Sequence, residues 1–188
     1  GTHTSAMKQI LAIPAAGKGS RLNSNVPKLF TIVSGTKTVF DFILESLNPE
    51  IDLVLLLLSP EGKAYFDAHV AAQAPAQIQV LIQHEATGMF DAVDQMVSHV
   101  LSLSEDFRLI LQWGDQPFCD QELHDAMWKD LANNDATVPL VWVENPYVQY
   151  RFSEQGLQVA ERREEEVVDA HGFKDMGIFG LSKSLLQQ

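Results

Sequence analysis

The alternation of short apolar runs with helical patterns, through roughly the first 115 residues, most constrains the fold of this chain. The predicted strands are residues 8–13, 52–59, 78–83 and 108–113, and the predicted helices lie around residues 40–47, 63–74 and 89–101. Apolar runs of strand length that alternate with amphipathic helices are typical of stacked βαβ units. We therefore predict a three-layer α/β/α fold with a mainly parallel, mixed sheet.

After a predicted helix over residues 121–132, the pattern changes to short extended runs. These predicted strands are residues 136–143, 147–152, 157–160 and 176–181. They indicate a strand-rich part attached to the sheet. The strongly charged run at residues 161–169 is typical, taken alone, of a solvated loop or a helix end.

The length of 188 residues bounds the number of domains. At about 100–200 residues per domain, we expect a single domain over residues 7–188, with residues 1–6 as a cloning remnant before Met7. Ser182 opens a helix pattern just before the chain stops, so we expect the last C-terminal elements of this domain to be missing.

Composition excludes several classes of function. The net charge is −12 and the isoelectric point about 4.7, a field that repels nucleic acids and anionic membrane surfaces. The longest apolar run, near residues 51–58, is far shorter than the roughly 20 residues of a membrane span. Neither the single cysteine nor the histidine spacing suggests a disulfide or a zinc site. We expect a cytoplasmic protein without nucleic-acid or membrane partners.

The loop after the first predicted strand has the composition of a phosphate site. It reads Pro14-Ala15-Ala16-Gly17-Lys18-Gly19-Ser20-Arg21-Leu22 and continues to Pro27-Lys28. Small residues and two glycines let backbone N–H groups approach an anion closely, and Lys18, Arg21 and Lys28 add positive charge. Because the chain is otherwise acidic, this concentration of cations predicts a triphosphate site. The alternative is an ordinary mobile surface turn.

Two well-known glycine motifs do not fit this loop. A P-loop needs four residues between its glycines and a Lys-Ser/Thr ending, whereas one residue separates Gly17 from Gly19. A dinucleotide fingerprint needs a third glycine at the position of Leu22. A nicotinamide-dependent enzyme is thus a distant alternative.

The motif Ala15-Ala16-Gly17-x-Gly19-x-Arg21 with Pro27-Lys28 resembles the signature of nucleotidylyltransferases of glycosyltransferase-A-like fold. Three further segments match in order. They are Gln83 with Gly88 and Asp91-Ala92, then Gly114-Asp115-Gln116-Pro117, and finally Glu161-Arg162-Arg163 with Gly177-Ile178-Phe179. The last pair is similar to the sugar-site segments of the sugar-1-phosphate members.

The resemblance implies a role for each segment. Ala15, Ala16, Gly17, Lys18, Gly19, Gln83 and Gly88 would bind the nucleotide, Arg21 and Lys28 would be catalytic, and Asp115 would bind Mg²⁺. Glu161, Arg162 and Gly177 would contact the acceptor. The sequence departs from the family where Met89 replaces the usual threonine after Gly88, where Arg162 or Arg163 replaces a lysine, and where Asp175 replaces an asparagine. The segment that carries the family's second metal ligand is not within these 188 residues.

Simpler interpretations stand beside several of these roles. Asp115 could initiate a turn before Pro117, Gln83 could be a solvated residue at a strand end, and Asp91 is better explained as a partner of a helix dipole. Cys119 fits a buried packing residue better than a nucleophile. The three tryptophans and the methionines of the helix at residues 89–101 fit core positions.

These observations together favour Mg²⁺-dependent nucleotidyl transfer from a nucleoside triphosphate to a phosphorylated acceptor. The sugar-site segments favour a sugar 1-phosphate as that acceptor. One alternative is cytidylyl transfer to a polyol phosphate or a phosphocholine-like alcohol. The other is a regulatory domain that binds nucleotides without turnover. The oligomeric state has no signature in the sequence.

Overall fold

The computed structural model describes residues 7–17, 26–103, 105–114, 119–144, 148–153, 156–161 and 171–188. Its chain divides into two compact units. The larger unit comprises Gly1–Thr137 with Phe179–Gln188, and the smaller unit comprises Val138–Ile178.

The elements follow each other along the chain much as the sequence pattern predicts. In chain order they are β1 (Lys8–Pro14), a 3-10 turn (Lys28–Phe30), β2 (Ile32–Ser34), β3 (Lys37–Thr38), α1 (Val39–Glu45), β4 (Leu53–Leu58), α2 (Pro60–His69), a second 3-10 turn (Ala71–Gln73), β5 (Ile78–Ile82), α3 (Met89–Leu101), β6 (Phe107–Gln112), α4 (Gln121–Leu131), β7 (Ala136–Thr137), β8 (Leu140–Glu144), β9 (Val148–Ser153), β10 (Gly156–Glu161), β11 (His171–Asp175), β12 (Ile178–Ser182) and α5 (Lys183–Leu186). Within the described ranges, none of the helices has both the length and the hydropathy that crossing a bilayer requires.

A six-stranded sheet in the order β5-β4-β1-β6-β12-β7 forms the larger unit. Strand β1 lies between β4 and β6 and is parallel to both, and β5 is parallel to β4. At the other edge, β12 and β7 are antiparallel. The prediction of a mainly parallel, mixed sheet is therefore confirmed.

Side chains of the central strands point alternately to two covered faces of the sheet. On one face, Ile10, Ala12 and Leu55 pack with Ala92 and Met96 of α3. The next residues along each strand point to the opposite face. There α2 lies against the sheet, since a methyl group added at Gly62 would be 3.3 Å from the Cβ of Leu58. Burial on both faces explains why these strands are continuous apolar runs.

Polar side chains fix where the helices begin. At the start of α1, the Thr38 Oγ1 accepts a hydrogen bond from the Asp41 amide, and the Asp41 carboxylate accepts one from the Thr38 amide. The Ser59 hydroxyl caps α2, whose first residue is Pro60. For this reason α2 begins at Pro60, and the predicted start at residue 63 was wrong. The predicted end at residue 74 was also wrong, because α2 ends at His69 and a separate 3-10 turn follows.

Strands of the smaller unit form an antiparallel sheet in the order β10-β9-β11-β8. The predicted run at residues 136–143 divides into β7 and β8, which belong to different sheets, because Pro139 interrupts it. Strand β11 was not predicted. Glu161 ends β10 in register with Val148, so its assignment to a solvated loop was wrong, whereas residues 162–169 lie outside the described residues.

Close packing at Gly180 in β12 gives a test of the larger unit. A methyl group at this position would lie 2.5 Å from the Thr137 Cγ2 and 3.0 Å from the Leu131 Cδ1. Because the neighbours must move, we expect Gly180→Ala to lower the free energy of unfolding by about 1–3 kcal/mol in urea titrations. Gly17→Ala is the control, since a methyl group there meets no atom of the described residues within 4 Å. Equal stability of the two variants would contradict this packing.

Candidate functional site

The chain leaves β1 through Ala15, Ala16 and Gly17 at the carboxyl edge of the sheet. The Ala15 amide donates to the Leu57 carbonyl at 2.8 Å, which continues the parallel ladder beyond the strand. Ala16 is buried in the same apolar cluster as Ala92, so its small side chain has a packing role. Gly17 is exposed, and within the described parts of the chain no atom lies within 4 Å of a methyl group added to it. Lys18, Gly19 and Arg21 lie outside the described residues.

The structure brings Gly114, the first residue of the Gly114-Asp115-Gln116-Pro117 segment, close to the start of this loop. Gly114 follows β6, and a methyl group added there would lie 3.2 Å from the Ala15 Cβ and 3.7 Å from the Leu29 Cδ1. Parallel pairing of β1 with β6 places both segments at one edge. Asp115, the next residue, lies outside the described residues.

Lys28 stands at the first position of a 3-10 turn whose other residues are anchored. Leu29 and Phe30 are buried, while Lys28 is exposed. The Phe30 ring stacks on Tyr65 of α2, with ring centroids 5.5 Å apart, and meets Phe40 of α1 edge-on at 5.6 Å. The buried side chains of Leu29 and Phe30 thus anchor the turn that carries Lys28. Lys28 is next to Leu29, whose side chain lies near Gly114.

Gln83 and Gly88 lie between β5 and α3, also at the carboxyl edge. Gln83 is buried, its amide nitrogen donates to the Thr87 hydroxyl at 3.4 Å, and its backbone N–H donates to the Leu58 carbonyl at 2.8 Å. The alternative of a merely solvated glutamine was wrong. Gly88 precedes α3 with φ at +102°, a conformation that favours glycine whatever its neighbours.

Sequence reasoning missed two exposed apolar side chains beside Gly88. Met89 is 48% exposed and Phe90 is 85% exposed at the first turn of α3. The assignment of every methionine of this helix to the core holds for Met96, which is fully buried, and was wrong for Met89. The signal in the sequence that could have found Phe90 is its position, because an aromatic residue stands two residues after Gly88 of the nucleotide-binding segment.

The predicted acceptor residues belong to the smaller unit. Gly177 has φ at +72°, and its amide donates to the Asp175 carboxylate at 2.9 Å, so both residues build the turn between β11 and β12. Glu161 closes β10, and Arg162 lies outside the described residues. A role for these residues in acceptor binding stays a prediction.

A buried polar pair lies at the end of β6. The ring nitrogen Nε2 of His124, on α4, is 2.8 Å from the Gln112 Oε1, and both side chains are at most 1% exposed. Burial lowers the pKa of the His124 imidazole to about 4, although Asp125 and Asp120 act in the opposite direction. His124 is therefore neutral near pH 7, and its Nε2–H donates to the glutamine oxygen.

Cys119 is also buried, as the sequence predicts. Desolvation raises the pKa of its thiol to about 11, and the charge of Asp120 adds to that effect. Since the thiolate is the nucleophilic form, the structure gives Cys119 a packing role.

The lowered pKa of His124 predicts a specific loss of stability in acid. The unfolded chain takes up a proton near pH 6.5, whereas the folded chain does so only near pH 4. Stability from this group is therefore complete above pH 6.5 and is lost as the pH falls toward 4, by about 3 kcal/mol in total. Urea titrations at several pH values should show this loss relative to His124→Gln, which cannot titrate. Parallel pH profiles for the two proteins would refute the buried neutral histidine.

Comparison with known proteins identifies the family. Residues 11–170 match the MobA-like NTP transferase domain. The chain is 24% identical over 188 residues to "Bifunctional protein GlmU" of Francisella tularensis subsp. novicida, covering 95% of this chain. It spans 38% of that relative's length.

Solved structures share the fold. A putative glucose-1-phosphate thymidylyltransferase of Bacillus anthracis superimposes with a TM-score of 0.73 at 20% identity, covering 97% of this chain and 74% of that protein. For the 4-diphosphocytidyl-2C-methyl-D-erythritol synthase of Anaerococcus prevotii, the TM-score is 0.65 at 14% identity, with coverage of 95% and 73%. The predicted glycosyltransferase-A-like fold is confirmed.

Proposed function

The chain belongs to the MobA-like NTP transferase domain family, a nucleotidyltransferase family, and from that premise we propose that it transfers a nucleotidyl group from a nucleoside triphosphate to a phosphorylated acceptor. The reaction would release pyrophosphate. Membership of the family agrees with the resemblance of the first loop. The acceptor, the metal and the residue roles below belong to the proposal.

The contact between Gly114 and Ala15 is the observation that carries this proposal. It joins the start of a cationic, glycine-containing loop to the start of a segment whose next residue is an aspartate. A triphosphate needs cations and amides for its oxygens, and a divalent ion that bridges phosphates needs a carboxylate. The closeness of these two segments lets them meet both requirements at one place.

Within this proposal, the first loop holds the triphosphate. Amides at Gly17 and Gly19 would donate to phosphate oxygens, and Lys18 and Arg21 would offset their charge and that of the leaving pyrophosphate. Gly17 supports this role because it is exposed and, among the residues that the structure describes, no atom lies within 4 Å of a methyl group added to it. An acidic chain gains the necessary local attraction by concentrating its cations here.

Lys28 would act on the α-phosphate during an in-line displacement. An oxygen of the acceptor phosphate forms a bond to the α-phosphorus, and the bond from that phosphorus to the bridging oxygen of the β-phosphate breaks. Because the acceptor oxygen is already anionic, no general base is required. The barrier is charge repulsion and alignment, which a fixed cation lowers. The anchored turn around Leu29 and Phe30 supports such a fixed position.

Mg²⁺ is part of the proposal through Asp115. A carboxylate is the donor that Mg²⁺ takes from proteins, usually together with phosphate oxygens and waters. Gly114, directly before Asp115, lies against the phosphate loop, which fits such a shared site. When bound, the ion would supply charge neutralisation between the phosphates.

A sugar 1-phosphate is the acceptor that we propose. The resemblance of Glu161, Arg162 and Gly177 to sugar-site segments supports it, as does the structural likeness to a glucose-1-phosphate thymidylyltransferase. For the base of the nucleotide, the Gln83 side-chain amide would donate to or accept from the base edge, and the exposed ring of Phe90 would offer a surface on which the base stacks.

Cytidylyl transfer to a polyol phosphate is the second candidate, favoured by the likeness to a 4-diphosphocytidyl-2C-methyl-D-erythritol synthase. A panel of four triphosphates against sugar 1-phosphates and polyol phosphates separates the two candidates. Turnover with a sugar 1-phosphate supports the first. Turnover confined to CTP and a polyol phosphate supports the second.

Pyrophosphate release tests the proposed roles of Lys28 and Asp115. We expect Lys28→Ala and Asp115→Ala each to lower kcat by roughly 100- to 1,000-fold, because each removes charge stabilisation at the reacting phosphates. Lys63→Ala is the matched control, since Lys63 pairs with Asp67 on the outside of α2. It should retain wild-type turnover.

Two results would count against the proposal. Equal activity of wild type and both site variants would remove Lys28 and Asp115 from the reaction. Mg²⁺-independent triphosphate binding by calorimetry, without any pyrophosphate, would instead indicate a nucleotide-binding domain without turnover.

A further inference from the structure

The Gln112 and His124 pair is not accounted for by the proposed chemistry or by the apolar core. Buried polar side chains among the described residues are Ser46, Gln83, Gln112 and His124. Of these, only Gln112 and His124 form a hydrogen bond to each other, from one element to another. A buried hydrogen bond of this kind makes the packing around it rigid and specific.

The pair lies near the carboxyl edge of the sheet, where the candidate site is. Gln112 is the last residue of β6, and the preceding residues Leu109, Ile110 and Leu111 are apolar and buried. His124 lies in the first turns of α4, which begins after the Asp120 cap. The hydrogen bond therefore ties the two ends of the connection between β6 and α4. Gly114, two residues after Gln112, lies in that connection.

A contribution to stability alone does not explain such a pair. A neutral hydrogen bond adds little net stability, because both groups lose their bonds to water on folding. Two apolar residues of similar volume could replace this one hydrogen bond at little cost in stability, apart from the further interaction that Gln112 makes. What they could not reproduce is a directional bond that fixes the angle between the strand end and the helix.

We propose that Gln112 and His124 are positioning residues for nucleotidyl transfer. Their bond fixes the direction in which the chain leaves β6. It thereby holds Gly114, the residue before Asp115, close to Ala15 at the carboxyl edge of the sheet. This inference rests on the proposed function for its catalytic consequence, and on the described geometry for its structural one.

A set of variants separates positioning from stability. Gln112→Leu leaves the buried His124 Nε2 without its acceptor, and His124→Leu takes that donor away from Gln112, so both should be destabilised. The double variant should be more stable than the sum of the two single losses predicts, but it should not recover the activity. We expect its kcat to fall at least tenfold and the Mg²⁺ concentration for half-maximal rate to rise, with the KM of the acceptor unchanged. His124→Gln places an amide nitrogen where the Nε2 stood and should restore kcat to within about threefold.

Two further measurements make the test decisive. Met127 is buried on α4, three residues after His124. Met127→Ala therefore controls for destabilisation of this helix and should keep wild-type kcat while folded. Amide hydrogen exchange at Ala15, which lies beside Gly114 and whose N–H donates to the Leu57 carbonyl, should rise at least tenfold in the double variant. If the double variant does not fold, Gln112→Met, which removes the acceptor and keeps the length of the side chain, takes its place.

The possible outcomes point in distinct directions. A stable double variant with wild-type kcat and Mg²⁺ dependence overturns the proposal, because the pair would then be only a packing feature. If wild type releases no pyrophosphate with any triphosphate, the proposed function fails, and the exchange data decide on positioning by themselves. Unchanged exchange at Ala15 then overturns it, and faster exchange supports it.

Discussion

Parallel pairing of β1 with β4 on one side and with β6 on the other is the constraint on which the site depends. It runs in register from Ile10 with Leu53 and Leu109 toward the carboxyl edge. Because the strands are parallel, the segments that follow them emerge at the same edge of the sheet. Residues that are distant in sequence, such as Ala15 and Gly114, thereby come into contact. A ligand can be held there without any one segment supplying all of its contacts.

The core of the fold was predictable because burial on both faces leaves a strong signal. Strands β1, β4, β5 and β6 are nearly continuous apolar runs, and the bounds of α3 agree with its apolar stripe. Shorter elements leave no such signal. The β2–β3 hairpin is exposed on its first strand, and β11 has mixed polarity, so neither has a regular pattern. Cap chemistry explains the remaining shift at α2, where Ser59 and Pro60 define the start.

Parts of the candidate site were predictable to different degrees. Glycine and cation composition identified the first loop, and family resemblance identified the segments after β5 and β6. Long-range contacts could not be predicted in this way. Gln112 stands at the end of an apolar run and His124 within a helix pattern, so nothing local indicates that their side chains meet. Met89 shows the opposite failure, since helical spacing placed it in the core although the helix start is exposed.

The central claim is that the segments after β1 and β6 together bind the phosphates of a nucleoside triphosphate. A crystal structure with a non-hydrolysable triphosphate and Mg²⁺ tests this most directly. The account predicts phosphate density against the Gly17 amide, with the metal between those phosphates and Asp115. Ordered triphosphate elsewhere on the molecule, or density at Gly17 with the metal bound away from Asp115, would contradict it.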